Sequence, residues 1–458
     1  MSLSPKYSVY VVSHNYGHFV EKAIKSVLSQ TVDNWELLLI NDNSSDNTKE
    51  VFNKYSDDKR IRIFDTNGIG LNAVCNHALN NAMGEYLIRL DGDDYFDENI
   101  LLILGNYMEK DSSLGIVYSD FFLVDEDGKK FSYEFTRKIK KNENVLEPPN
   151  GACCLIDRQK LIRIGGYSED LKAQDGLDLW LKMKDNYRTK NVNLPLYYYR
   201  RHGKNLTETP YKIINARQEI KDRKAKPLLK SVAPIIAVIP CRKNFDFVKS
   251  LWSQEIHGQT LLERDVRTCI KSDYFSKIII TSDENIPEIY PNILNIDPRV
   301  SFELREKNLT SKSTKIEKTL NQIASKYDPK YEGIMLIRYI QTPFINHKTL
   351  EEAINSLVIS NNDSTMAVEK IRHEIFQNKN EELIQLNSSL LGEINVSDFY
   401  RDSATCVAFR SKNLLSGYFR GKQILGFPVS AAESFFINSF QDLDIARYSG
   451  LLNKEIEI

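Results

Sequence analysis

Residues 86–94 read Tyr86-Leu87-Ile88-Arg89-Leu90-Asp91-Gly92-Asp93-Asp94, an apolar strand running straight into three carboxylates packed in one turn. Carboxylates this close repel one another unless a cation or hydrogen-bond donors compensate. A divalent metal does so, and a metal held there can in turn hold a diphosphate. The alternative is that Asp-Gly simply makes a tight turn at a strand end. The surrounding sequence decides between the two.

Upstream, Tyr7–Val12 is a short β-rich run ending at the polar group Ser13-His14-Asn15. Over Phe19–Leu28 the apolar residues Val20, Ala23, Ile24, Val27 and Leu28 fall on one face of a helix. Glu36–Ile40 then reads as a buried strand and ends in Asn41-Asp42-Asn43-Ser44-Ser45-Asp46. Strand, helix and buried strand in this order make a βαβ unit with a parallel sheet. Ligands of such sheets bind beyond the carboxyl ends of the strands. Asn15, Asp42 and the Asp91 cluster all stand at such ends, so three separated polar groups are expected to converge on one cleft. That convergence favours the metal reading.

Farther along, Leu177, Trp180, Leu181 and Met183 place a helix starting near Asp175 or Gly176. Leu194–His202 reads as an aromatic strand ending in a basic turn, and Trp180 and the tyrosine run are expected in the core rather than as sugar platforms. Lys129-Lys130 and Arg137–Lys141 read as a solvated charged loop, with steering of a phosphorylated or lipid-linked acceptor as the alternative. From Glu219 to Lys230 the chain is highly charged and reads as a linker, unless a helix continues toward Pro227. A second α/β pattern then opens with Ile235–Ile239, followed by a helix near Leu261–Ile270 and strands at Lys277–Thr281 and Gly333–Ile337. The halves share an architecture without an internal repeat.

At 458 residues the chain exceeds one ordinary core. The expected division is a domain over 1–215, a charged linker over 216–232 and a second domain over 233–458. Lys plus Arg number 61 against 62 Asp plus Glu, so no global field favours nucleic acid and an anionic substrate must be handled locally. The cysteines, at 75, 153, 154, 241, 269 and 406, form no Cys-x-x-Cys pair, which signals neither zinc nor a disulfide framework. No run approaches the roughly 20 apolar residues of a membrane span. Met1-Ser2-Leu3-Ser4-Pro5-Lys6-Tyr7 enters a strand directly, without signal-peptide character. The expectation is a cytoplasmic protein, with peripheral association at the inner face of a membrane and oligomer formation both compatible with the chain.

Over about residues 5–207 the chain resembles a family 2 glycosyltransferase of the GT-A fold. The pieces are Val11-Val12-Ser13-His14-Asn15-Tyr16, Leu28-Ser29-Gln30-Thr31, Asn41–Asp46, Gly70–Leu79 before Gly84-Glu85-Tyr86-Leu87, Leu90–Asp94, Gln174–Trp180, and Tyr198-Tyr199-Arg200-Arg201-His202. Each is weak alone, and their order is specific. The resemblance implies that Asp42 accepts a hydrogen bond from the donor's base, with Val12 and Asn15 shaping that pocket. It implies that Asp91 and Asp93 bind Mn²⁺ or Mg²⁺ and the donor nucleotide, Asp93 being the more direct metal ligand and Asp94 a supporting one. Asp175 matches the base that deprotonates an acceptor hydroxyl; its alternative is a helix N-cap. His202, beside Arg201, matches a metal- or diphosphate-binding position; its alternative is an ordinary surface histidine. Cys75 departs from the pattern, since relatives commonly carry arginine there, which leaves a phosphate or sugar contact without its usual residue.

The second half is similar to the cytidylyltransferases that make CMP-activated acidic sugars, such as acylneuraminate cytidylyltransferase. The pieces are Ile239-Pro240-Cys241-Arg242, Thr260–Arg264, Ile278–Asp283, Ile340–Pro343 and Glu433–Ala446. The triphosphate loop of those enzymes, whose glycines let backbone N–H groups cradle phosphate, is here Lys243–Lys249 without a glycine. Their magnesium-binding Asp-x-Asp corresponds to Phe436-Ile437-Asn438, which weakens affinity for a hard cation. The fold is therefore expected to be kept and the catalysis lost, with Arg242, Lys243 and Lys249 left to bind a nucleotide or acidic sugar. Together these readings predict an α/β chain of two Rossmann-like nucleotide-binding domains in tandem. The expected activity is a metal-dependent, inverting transfer of sugar from a nucleotide donor, UDP favoured, to a glycan or lipid-linked acceptor in surface polysaccharide synthesis. The competing readings are a bifunctional transferase and CMP-sugar synthetase, and a non-catalytic nucleotide-sugar scaffold.

Overall fold

The computed structural model describes residues 4–134, 154–171, 173–203, 210–306, 315–371, 374–379, 382–386 and 399–449. It divides into two compact units, Met1–Arg217 and Gln218–Ile458. Arg137–Lys141 and Cys153 lie outside the described residues.

The first unit is built around β1 (Tyr7–Ser13) and β2 (Trp35–Asp42), in which every residue is buried. Total burial is what a parallel strand covered on both faces requires, and it explains their largely apolar centres, Val9–Val12 and Leu37–Ile40. One charged exception is Glu36, 3 % exposed, whose carboxylate is compensated by the Ser8 hydroxyl at 2.6 Å and Arg62 at 2.8 Å. Between these strands, α1 (Val20–Leu28) buries Val20, Ala23, Ile24 and Val27, the face its periodicity marks. There follow α2 (Thr48–Asn53), β3 (Ile61–Thr66), α3 (Leu71–Asn81), β4 (Tyr86–Asp91), β5 (Tyr95–Phe96), α4 (Ile100–Lys110), β6 (Leu114–Val124) and β7 (Lys130–Glu134). The unit continues with β8 (Cys154–Asp157), α5 (Arg158–Arg163), α6 (Asp175–Asn186) and β9 (Arg188–Arg200).

Strands β3-β2-β1-β4 are mutually parallel, and the mixed sheet extends through β8, β6, β9 and β5, with β7 on β6. The chain moves outward from β1 to β3 and then returns to β4 on the other side of β1. The crevice at such a reversal is where open α/β sheets bind ligands, and the acid turn stands there. Gly84 lets the chain enter β4 tightly: a Cβ on it would lie 2.6 Å from the backbone nitrogen of Ser8. Gly84→Ala is expected to destabilise the first unit by about 2 kcal/mol, because backbone cannot move aside as a side chain can. Urea unfolding measures it, and a loss below about 0.5 kcal/mol would contradict this account.

The second unit repeats the plan with β10 (Ile235–Pro240), the short pair β11 (Glu255–Ile256) and β12 (Gln259–Thr260), α8 (Leu261–Ile270), β13 (Lys277–Ser282), α9 (Ile286–Ile289), β14 (Val300–Leu304), α10 (Ile316–Tyr327) and β15 (Ile334–Arg338). Here α7 is the helix Pro210–Leu229 that precedes β10. Then come α11 (His347–Ser360), β16 (Ser364–Lys370), β17 (Phe376–Lys379), β18 (Glu382–Gln385), β19 (Tyr400–Arg410), β20 (Ile424–Pro428) and α12 (Phe440–Tyr448). The sheet order is β14-β13-β10-β15-β19-β16-β20, parallel from β14 to β15 and antiparallel where β19 joins. The protein is thus α/β with two mixed sheets, rather than two purely parallel ones.

Residues 216–232, expected as a charged linker, lie mostly in α7. The unit boundary falls inside that helix, after Arg217. Its later residues belong to the second core: Lys221 is 4 % exposed and pairs with Glu352 at 2.7 Å, and Gln218 reaches Thr349. The charge run that suggested a solvated linker is in part an inward-facing ion pair. Among the described residues, no helix is long and apolar enough to cross a membrane. Cys75, Cys154, Cys241, Cys269 and Cys406 are buried, and none is in a disulfide among the described residues.

Candidate active site

The carboxyl ends of β1, β2 and β4 bring the first unit's polar groups together. Val12 pairs in register with Asp91, and the Gly92 N–H donates to the Val12 carbonyl at 2.9 Å. Asn15 adopts φ of +64°, a left-handed conformation that asparagine tolerates better than most residues. Its Oδ1 accepts from the Ser45 N–H at 2.7 Å, which ties the end of β1 to the loop after β2.

Asp42 is 7 % exposed and organises the loop that follows β3. Its Oδ1 accepts from the Thr66 hydroxyl at 2.6 Å and the Ile69 N–H at 2.9 Å; its Oδ2 accepts from the Gly70 N–H at 3.1 Å. Oδ2 therefore keeps acceptor capacity for a ring N–H. Asp42→Ala is expected to cost about 1 kcal/mol of stability by leaving those donors to solvent. It is also expected to weaken nucleotide binding, and calorimetric titration with UDP checks the second effect.

The acid turn is shared among distinct partners. Asp94 is 1 % exposed and accepts from the Arg200 N–H at 2.7 Å and from the Tyr197 hydroxyl, which fastens β9 to the turn. Burial, then the nearby Asp93 and Asp91, holds its carboxyl well above the usual range. The Arg200 Nε donates to the Asp93 carbonyl at 2.7 Å while its guanidinium lies over Phe19 at 4.5 Å. Asp93 Oδ2 is 2.9 Å from His202 Nε2. That imidazole is buried beside Tyr16 and Phe19, with ring centroids 5.7 and 5.3 Å away, so it is not an ordinary surface histidine. Arg201 stacks on Tyr199 at 4.9 Å, so it is Arg200 that clasps the acid turn.

Arg89 is 8 % exposed and bridges two carboxylates. Its Nε lies 3.1 Å from Asp91 Oδ1, and its Nη1 donates to Asp175 Oδ2. Asp175 is the first residue of α6, whose cap is Gln174 in a left-handed conformation. The aspartate is thus an inward-facing partner of Arg89 and not a helix cap. Cys75, buried 3.9 Å from Nη1, has its thiol pushed up to about 11 by burial, which makes it unreactive. The Asp91 carboxyl is raised by burial and by Asp93 and Asp175, against the pull of Arg89.

Among the described residues, no group of three or more His, Cys, Asp or Glu side chains is already gathered around one point. Asp93 and His202 meet, whereas Asp91 turns to Arg89. In the second unit Arg242, Lys243 and Lys249 are exposed, in the loop that follows β10. Lys243 donates its N–H to Asp283 at 2.8 Å and its ammonium lies 3.6 Å from Glu284. An Asn244–Lys249 bridge closes the loop, with Phe245 and Phe247 packed on the core. Ile437 is buried, and exposed Asn438 donates its N–H to Asp442 at 3.0 Å. Sequence reasoning assigned no role to Arg89, Arg200 or Tyr197. For Arg89 a signal existed, since a charge inside a buried strand demands partners.

A family model described as glycosyl transferase family 2 matches residues 8–165, which include β1 apart from Tyr7, all of β2 to β4 and the acid turn. The N-terminal unit is a family 2 glycosyltransferase domain. Among curated proteins, the chain is 29 % identical over 207 residues to chondroitin synthase of Pasteurella multocida strain Pm70, covering 44 % of this chain and 21 % of that protein. It is equally similar to hyaluronan synthase of Pasteurella multocida, and 25 % identical over 240 residues to chondroitin synthase of Escherichia coli, covering 49 % and 34 % of the two chains. The chain thus spans between a fifth and about a third of the length of these relatives. Among solved structures, S. aureus TarS 1–349 in complex with UDP-GlcNAc overlaps with a TM-score of 0.41 at 18 % identity, over 50 % of this chain and 68 % of that one. At that score the overlap adds nothing to the sequence match. The family match ends before the second unit begins.

Proposed function

We propose that the glycosyltransferase domain transfers a sugar from a nucleoside diphosphate donor, UDP favoured, to a glycan or lipid-linked acceptor in polysaccharide assembly. The observation that carries this reading is that Asp91 and Asp175 both lie against one guanidinium, with Asp93 two residues beyond Asp91 in the acid turn. The similarity to a chondroitin synthase and a hyaluronan synthase agrees with a polysaccharide product.

A divalent cation fits the donor set, because Asp91, Asp93 and His202 offer the oxygen and imidazole ligands that Mn²⁺ or Mg²⁺ accept. Burial first, and the neighbouring carboxylates after it, raise the Asp91 and Asp94 carboxyls, an environment in which a cation favours the charged form. When bound, the cation supplies charge neutralisation for the departing diphosphate. Asp42, Val12 and Asn15 receive the base. Asp175 takes the proton from the acceptor hydroxyl as that oxygen attacks the anomeric carbon. The new carbon–oxygen bond forms as the bond to phosphate breaks, and the electron pair leaves on the diphosphate. One displacement inverts the anomeric centre. The second unit we read as a cytidylyltransferase-like fold without catalysis, since its loop lacks glycine and Asn438 replaces a carboxylate.

The test is nucleoside diphosphate release by the full chain from UDP-, dTDP- and GDP-sugars with Mn²⁺, and CMP release from CMP-sialic acid. Metal-dependent turnover of one donor supports the proposal and names that donor. Pyrophosphate release from CTP plus an acidic sugar would instead establish the bifunctional reading. Silence in both assays alongside tight UDP binding would favour the scaffold.

A further inference from the structure

We propose that Arg89 is an internal counter-ion that occupies the acid turn until a divalent cation takes Asp91, and that it then stays on Asp175 as a positioning residue. The inference builds on the transferase reading above and assigns a part to a residue which that reading does not use.

The geometry sets the argument. The guanidinium is planar and forked, so it can address two carboxylates at once. Here one edge lies 3.1 Å from Asp91 Oδ1 and another donates to Asp175 Oδ2. The side chain rises from the middle of β4 into a closed pocket beside the Cys75 thiol. Tyr10 and Tyr167 share a hydrogen bond of 3.2 Å near that pocket, and their ionisation is disfavoured by burial. No other arginine or lysine is paired with Asp91 or Asp175 among the described residues.

The two carboxylates differ in what they face. Asp91 belongs to the acid turn beside Asp93, with a side chain 27 % exposed, so an entering cation can reach it. Asp175 is 14 % exposed and stands on the other side of the guanidinium. Arg89 therefore competes with a cation for Asp91 and does not compete for Asp175. Filling the turn frees one face of the fork and leaves the other on the base. The base is then aimed in the state in which the donor is held.

Arg89→Met separates this from a merely structural role, because the two readouts move in opposite directions. Binding of Mn²⁺ alone to the full chain, read by electron paramagnetic resonance without nucleotide, is expected to tighten by about threefold or more once the competing charge is gone. Turnover in the diphosphate-release assay is expected to fall about 100-fold, with donor KM within about threefold, because Asp175 loses its anchor. Mn²⁺ binding that weakens or stays unchanged in a folded Arg89→Met protein overturns the counter-ion role. Should that variant not fold, Arg89→Lys decides. An ammonium keeps the charge and loses the fork, so Mn²⁺ affinity should stay within about threefold while kcat drops about tenfold. Full turnover in Arg89→Lys overturns the positioning role. Tighter Mn²⁺ binding by Arg89→Met beside a wild-type protein that turns over no donor would sink the transferase reading and leave the counter-ion role standing.

Discussion

Asp93→Ala is expected to lower metal-dependent donor turnover by about 1,000-fold or more while leaving the fold intact or slightly stabilised. The loss follows from the proposed mechanism, in which the carboxylate that meets His202 at 2.9 Å is the direct metal ligand. The stability effect follows from electrostatics. After burial, which is the largest cause, Asp93 helps to raise the carboxyls of Asp94 and Asp91, so removing it relieves repulsion in a buried site. The Arg200 clasp survives because it uses the Asp93 backbone carbonyl. Diphosphate release and thermal melting, measured on one preparation, read both effects. Turnover within tenfold of wild type would remove Asp93 from the mechanism, and a large drop in melting temperature would assign it a structural role instead.

Asp175→Asn is expected to lower kcat between about 100- and 10,000-fold, the usual contribution of a positioned general base. Donor KM and UDP binding should stay within about threefold, since Asp42 is assigned the nucleobase contact and Asp175 only acceptor activation. Asparagine preserves size and can still lie against Arg89, so α6 should start where it does now. The discriminating measurement is kcat against KM with an acceptor present. An equal loss in UDP affinity would mean that Asp175 shapes the donor site rather than activating the acceptor.

Much of this site was legible in the sequence because its ingredients are local. The strand ends at Asn15, Asp42 and Asp91 follow from the alternation of buried strands and an amphipathic helix, and a parallel sheet places such ends side by side. The helix from Asp175 was legible from Leu177, Trp180, Leu181 and Met183, and Trp180 is indeed core at 2 % exposure. What stayed hidden depends on pairings distant in sequence. Arg89 sits in the quoted stretch, yet its contact with Asp175 spans 86 positions. Asp94 meets Tyr197 and Arg200 across 103 and 106 positions, which no periodicity encodes. The basic turn was recognised, but which of Arg200 and Arg201 faces inward depends on how β9 pairs with β6, whose register shifts along its length. Residues 216–232 misled for the converse reason. Charge marks solvent only on average, and Lys221 finds Glu352 from 131 positions away.

The position of the unit boundary within α7 has a practical side. A recombinant second unit begun at residue 233, where its first strand is about to start, would discard Lys221 and with it the 2.7 Å ion pair to the buried Glu352. A working fragment has to carry the helix from Gln218 or earlier. The useful cut site is therefore set by the buried ion pair that Lys221 makes from α7 and not by the end of the charge run around it.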